Sequence, residues 1–303
     1  MRCRMSFTRI PLLAVRAAAV VLVGLGAAGV RGEQAVIPTA NPLDPGWAAV
    51  HVANWTEAVA VFESYDRDGA DPEVRAEALF ALGHIWQHRR PGEDMARAEA
   101  YYRRVVGAFG GSKAAPWAEL TLARIVDLPE SEPKTDEARQ KLLADVRQRY
   151  RRILDTYPGH LVAHEAALRL GVSYLSQVGD GQAEQTGAEV LIAYVKTQPD
   201  NYLAANMHIL VGDWHEQNGR WREAADSFVA AYHAGLPSMF HQAKTCFRIA
   251  QIAERRLGDD GLAVRWYERL LNEAPGDNRY YLAKLGAERC RARLAGAEPE
   301  VAP

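Results

Sequence analysis

The sequence predicts an all-α fold of antiparallel helix pairs stacked into a solenoid. Three observations carry this. Ala, Leu, Arg and Glu, helix formers that lose little side-chain entropy in a helix, recur throughout the 303 residues. No strand-like alternation of apolar and polar residues follows residue 45. One pattern also returns: Tyr102 opens YRRVVGAFGG, Tyr150 opens YRRILDTYPG and Tyr267 opens YERLLNEAPG, each an aromatic, a charged turn, two aliphatics and a Gly- or Pro-containing corner.

The first 32 residues read as a signal peptide. Arg2, Arg4 and Arg9 make a positive start, Ala17 to Val30 is an uncharged apolar run of 14 residues, and Ala27, Ala28 and Gly29 suit cleavage. A bilayer span needs about 20 residues. The alternative, an uncleaved anchor that also uses Ile10 to Val15, is interrupted by Arg16. Export to a bacterial periplasm or cell surface is therefore expected, with no transmembrane span after cleavage.

The formal charge is −2, and residues 1–32 hold five arginines and no acid, so the mature chain would sit near −7. A phosphate-tracking surface needs a basic excess, so no nucleic-acid partner is expected. Cys3 leaves with the signal; Cys246 and Cys290 are too few for a disulfide framework and read as buried thiols.

Residues 33–44 are expected to be a disordered lead-in, 45–296 the repeat domain and 297–303 a disordered tail. A short helix near Pro45 to Val52 comes first. Asn54 and Glu57 form a capping box for a helix with Ala58, Val61, Phe62 and Tyr65 on its apolar face. Asp71, Pro72 and Glu73 supply a cap, a proline at the first helical position and an acid at the positive end of the dipole. Leu79, Leu82, Gly83 and Trp86 lie on that helix; Ala98, Tyr102 and Val105 lie on the next. The corner at Phe109 to Ser112 leads to a helix through Val126, and residues 129–136 are a solvated insertion before a helix ending at Thr156. The YPGH corner starts the helix with Leu168, Leu170, Gly171 and Tyr174. Gly179 to Gly181 leads to a helix through Leu191 and Tyr194, and QPDN to one with Val211, Gly212 and Trp214. Asn218 and Gly219 suit a left-handed helix end. Trp221, Ala224, Phe228 and Ala231 line the next helix. A helix from Cys246 to Leu257, its partner with Ala263, Tyr267 and Leu270, the APGD corner and a helix near Asp277 to Leu294 complete the chain. This last helix is expected to cap the array, with Arg289, Arg291 and Arg293 facing water.

These residues resemble the tetratricopeptide repeat (TPR), whose signature is W-x2-L-G-x2-Y, A-x3-F and P. Leu82, Gly83 and Trp86 match the L-G-x2-aromatic part, as do Leu170, Gly171 and Tyr174; around Gly212 only the glycine is kept. Ala98/Tyr102, Ala224/Phe228 and Ala263/Tyr267 match A-x3-aromatic, and Pro158 and Pro275 each fall eight residues after an aromatic. Equivalent positions at Phe62, Tyr102, Tyr150, Leu191, Phe228 and Tyr267 are separated by 40, 48, 41, 37 and 39 residues. The family's period is about 34, so helices or loops are longer. The resemblance implies a right-handed superhelical solenoid of about five pairs plus a C-terminal capping helix.

The resemblance also implies a concave face lined by the first helix of each pair. Its positions would be Glu77, Phe80, His84, Gln87 and His88; Glu165, Leu168, Val172 and Leu175; Asn206, Ile209, Asp213 and Glu216; Lys244, Phe247, Gln251 and Glu254. The slots at which family members grip a C-terminal carboxylate hold Phe80, Leu168, Ile209 and Phe247, so that clamp is missing. These four form either an apolar stripe for a partner segment or part of the core. His84/His88 and His160/His164 have metal-chelating spacing but no third ligand, and no metal or cofactor is expected. Nucleophile-elbow, phosphate-loop and dinucleotide motifs are missing. The expectation is a non-enzymatic scaffold or adaptor that binds a protein or peptide segment in the groove. The alternatives are an envelope assembly factor docked on a membrane complex, or a carbohydrate- or envelope-active enzyme using His84, Asp213 and Glu216.

Overall fold

The computed structural model describes residues 41–89, 91–129 and 131–296. The predicted signal and most of the lead-in lie outside these, as does the tail. The described residues from Pro42 onward cluster as one unit. Its described residues form thirteen α-helices: α1 (Asp44–His51), α2 (Trp55–Tyr65), α3 (Pro72–His88), α4 (Met95–Ala108), α5 (Ala115–Asp127), α6 (Asp136–Thr156), α7 (Leu161–Leu175), α8 (Gly181–Thr197), α9 (Ala204–Gln217), α10 (Trp221–His233), α11 (Met239–Ile252), α12 (Asp260–Glu273) and α13 (Tyr280–Leu294). They make six pairs and a last helix, because the short α1 pairs with α2. Leu43, assigned from sequence to the lead-in, is buried in the first core cluster.

Helix starts follow local chemistry. Asp71 accepts from the N–H groups of Glu73 and Val74, and Asp94, Thr135, Asp180, Ser238 and Asp259 cap in the same way. The capping box at α2 is only half formed. Asn54 Oδ1 accepts the Glu57 N–H at 3.4 Å, but the Glu57 carboxylate takes the Asn54 side-chain amide at 2.6 Å, since the Asn54 N–H already bonds Ala49 O. At the end of α9 only Gly219 is left-handed, with φ +69°, whereas Asn218 stays at −94°. The chain from Ala253 to Leu257 widens into a π-helical turn closed by left-handed Gly258.

Pairs are held by a ring or branched side chain set into a gap on the facing helix. The six equivalent residues Phe62, Tyr102, Tyr150, Leu191, Phe228 and Tyr267 are all buried. A Cβ on Gly46 would collide with Phe62, one on Gly83 with Tyr102, one on Gly171 with Leu191 and one on Gly212 with Phe228. Gly286 of α13 receives Tyr267 in the same way, so the last helix continues the packing from the outer side of α12. Overpacking such a contact costs about 1–3 kcal/mol.

Each buried tyrosine of this set also needs an acceptor. Tyr102 donates to Gln87 at 2.9 Å, Tyr150 to Asp127 at 2.9 Å and Tyr267 to Glu254 at 2.8 Å. All three acceptors lie four residues after the small residue of the first helix (Gly83, Ala123, Ala250). Where the packed residue has no hydroxyl, that position holds Val50 opposite Phe62 and Leu175 opposite Leu191. Opposite Phe228 it holds Glu216, which binds Arg248 instead, and the Arg248 guanidinium lies 4.1 Å from the Phe228 ring.

The terminal arginines do not simply face water. Arg289 and Arg293 both reach Glu254, Arg293 also binds Asp260, and Arg291 pairs with Glu268. Burial alone would raise the Glu254 pKa, but hydrogen bonds from Tyr267, Arg293 and Arg289 hold it below the ordinary glutamate value.

Candidate functional site

The first helices of neighbouring pairs are joined side to side by polar contacts. Trp47 of α1 donates its indole N–H to Glu77 of α3 at 2.8 Å. Arg124 of α5 approaches Glu165 of α7 at 3.5 Å, and Arg169 of α7 lies 3.5 Å from both Glu165 and Asp127. Asp213 and Glu216 of α9 hold Arg248 of α11, each at 2.5 Å. These contacts tie α1 to α3, α5 to α7 and α9 to α11, and the side of α3, α5, α7, α9 and α11 that carries them is the candidate face.

Most predicted site residues fall on this face, but they differ in availability. Phe80 is half-buried with its ring 5.5 Å from Tyr102, and Phe247 is half-buried 5.8 Å from Tyr267. Ile209 packs against the C-terminal core cluster. Leu168 is 7% exposed and packs with Leu191, Met207 and Val211, so it is core; Val172 and Leu175 rest on the same cluster. The apolar stripe is therefore interrupted at α7. Asn206 and Lys244 are exposed, Gln251 is half-buried, and Gln87 is engaged by Tyr102.

The His84 and His88 rings lie tilted against each other with centres 4.6 Å apart, and Trp47 lies 6.3 Å from His84. Among the described residues no third His, Cys, Asp or Glu joins such a pair. His160 and His164 are held separately. The His160 Nδ1 caps Val162, while His164 is buried with Nδ1 2.7 Å from the Tyr194 hydroxyl. Burial lowers both histidine pKa values, and His160 lowers that of His164 further. Asp213 is raised by burial against the pull of Arg248. Asp213 and Glu216 both bind one guanidinium and so cross-link α9 to α11. Cys246 and Cys290 are free and buried, and burial pushes both thiols up to about 12.

Sequence reasoning missed Arg124, Arg169 and Arg248, which join the face together, and the Trp47–Glu77 bond. It also missed an open cleft of about 1080 Å³ at one edge, lined by Trp86, Gln87, Met95, Arg103, Arg124 and Leu128 among others. The insertion after α5 forms one rim of this cleft, and only Gln87 is shared with the predicted groove.

The class of protein that this packing defines is an all-α, TPR-like array of helix pairs. No family model matches the chain, and no curated protein matches it. Among solved structures, MamA AMB-1 is 17% identical, with coverage of 79% of this chain and 93% of its own and a TM-score of 0.33. TTC0263, a thermophilic TPR protein in Thermus thermophilus, is 19% identical, with coverage of 71% and 97% and a TM-score of 0.35. The fold itself is defined by the rings nested against glycines on facing helices.

Proposed function

We propose that the chain is a non-enzymatic scaffold of the cell envelope that holds a segment of a protein partner along the face of α3, α5, α7, α9 and α11. The observation that carries this reading is the lateral joining of first helices by Arg124, Arg169 and Arg248. Arg124 and Arg169 tie α5 to α7, and Arg248 ties α9 to α11, the two helices that carry half-buried Ile209 and Phe247 and exposed Asn206 and Lys244; half-buried Phe80 lies on α3. A surface pre-organised in this way loses little entropy when an extended or helical segment binds. The envelope location is supported by the composition of residues 1–32.

The test is capture from an envelope fraction with the full chain as bait. Asn206→Arg and Lys244→Glu should each weaken recovery of the same partner, while Asp226→Arg, at an exposed position of α10, should leave it unchanged. Equal recovery with all three variants contradicts the assignment of the face.

A further inference from the structure

The N-terminal ends of α11 and α13 carry large apolar side chains left uncovered among the described residues. Met239 and Phe240 open α11. Tyr280, Tyr281 and Leu282 open α13, with Tyr281 66% and Leu282 55% exposed. The two ends adjoin, since the Arg279 guanidinium lies 4.8 Å from the Phe240 ring. Successive helix residues point about 100° apart, so Tyr280, Tyr281 and Leu282 splay around the helix end and cannot all line one groove wall. They form a tip.

The charge around the tip is positive. Lys244 lies one turn from Phe240 and Lys284 one turn from Tyr280, both exposed. His241 is exposed beside Ser238, and Arg279 is balanced by Asp277 at 2.9 Å. Helix α11 contains no acid, and the first acid of α13 is Glu288, a turn beyond Lys284. A second copy of the same tip would meet it with like charge, and an acidic peptide would engage only one side of the splayed residues. A bilayer interface surrounds all of them.

We propose that this tip docks on an anionic lipid surface. Phe240 and Leu282 enter the headgroup region with Tyr281, whose apolar ring and polar hydroxyl suit that boundary, and Lys284 meets the headgroup charge. Such a lysine contributes roughly fivefold to partitioning.

The N-terminal apolar run of the full chain can itself adsorb to vesicles, so the reading must be local. An environment-sensitive fluorophore is placed on Cys3→Ser/Leu282→Cys and, as a control, on Cys3→Ser/Val178→Cys, where Val178 is exposed at the α7–α8 corner; Cys246 and Cys290 are buried. On adding phosphatidylcholine vesicles with about 30% phosphatidylglycerol, emission at 282 should brighten and shift to the blue, while emission at 178 stays unchanged. The response should fade at about 0.5 M salt. Lys284→Glu, which leaves the partner face untouched, should raise the lipid needed for half-response by roughly tenfold or more. No change at 282, equal changes at both positions, or indifference to the Lys284 reversal overturns the proposal. A response at 282 to soluble polyglutamate but not to vesicles assigns the tip to an acidic polypeptide and overturns it as well.

Discussion

Replacing Gly83 by Ala tests the packing rule on which the array depends. The new Cβ would lie 2.7 Å from one carbon of the Tyr102 ring and 3.0 Å from two more. The ring has no easy retreat, because Tyr102 is buried and its hydroxyl is tied to Gln87. Overpacking of this kind costs about 1–3 kcal/mol, against a gain of about 1 kcal/mol from placing Ala in a helix interior. Gly107 of α4 supplies the control, since a Cβ there meets nothing within 4 Å. Gly107→Ala should stabilise by up to about 1 kcal/mol and Gly83→Ala should destabilise by up to about 2 kcal/mol. The assay is urea unfolding of the full chain followed by helical circular dichroism, with amide exchange in α3 and α4 to localise the change. Equal shifts in the same direction for the two alanines would refute the reasoning.

Three further outcomes are expected. Tyr150→Phe removes the donor to Asp127 and should cost about 1.5–3 kcal/mol in urea unfolding, the range for hydrogen bonds to charged groups. His160, His164, His208 and His215 all have pKa values lowered first by burial, so the folded state binds fewer protons than the unfolded one. Their contribution is present above the unfolded value of about 6.5 and is lost as pH falls below it; the urea midpoint should drop from pH 7.5 to 5.5, and His164→Gln should flatten part of that drop. Ala53 is held at φ +57° in the α1–α2 turn, and Ala53→Gly should raise the midpoint by about 0.5–1 kcal/mol equivalent.

What the sequence made legible was chemistry that acts within a few residues. The cap at Asp71, the corner after Tyr157 and the spacing of Gly83 or Gly171 from their neighbours are all local, and the ring positions followed from their recurrence. Side-to-side contacts were hidden because their partners lie far apart: Arg124 and Glu165, or Glu254 and Arg289, meet only once the pairs are stacked. For the same reason Phe80 and Leu168, alike in register, differ in burial. Leu168 meets Met207 and Val211 of the following pair, whereas Phe80 leans on the ring of its own. The acceptors Gln87, Asp127 and Glu254 were visible in principle, as polar residues four places after the small residue wherever the facing ring is a tyrosine.

The most direct measurement on the central claim is site-specific photo-crosslinking of the full chain in native envelopes. A benzophenone side chain is placed at Asn206, Lys244 or Asp226, all exposed. The first-helix face predicts one common protein partner joined at 206 and 244 and not at 226. Adducts at 226 alone, or unrelated adducts at 206 and 244, would contradict it.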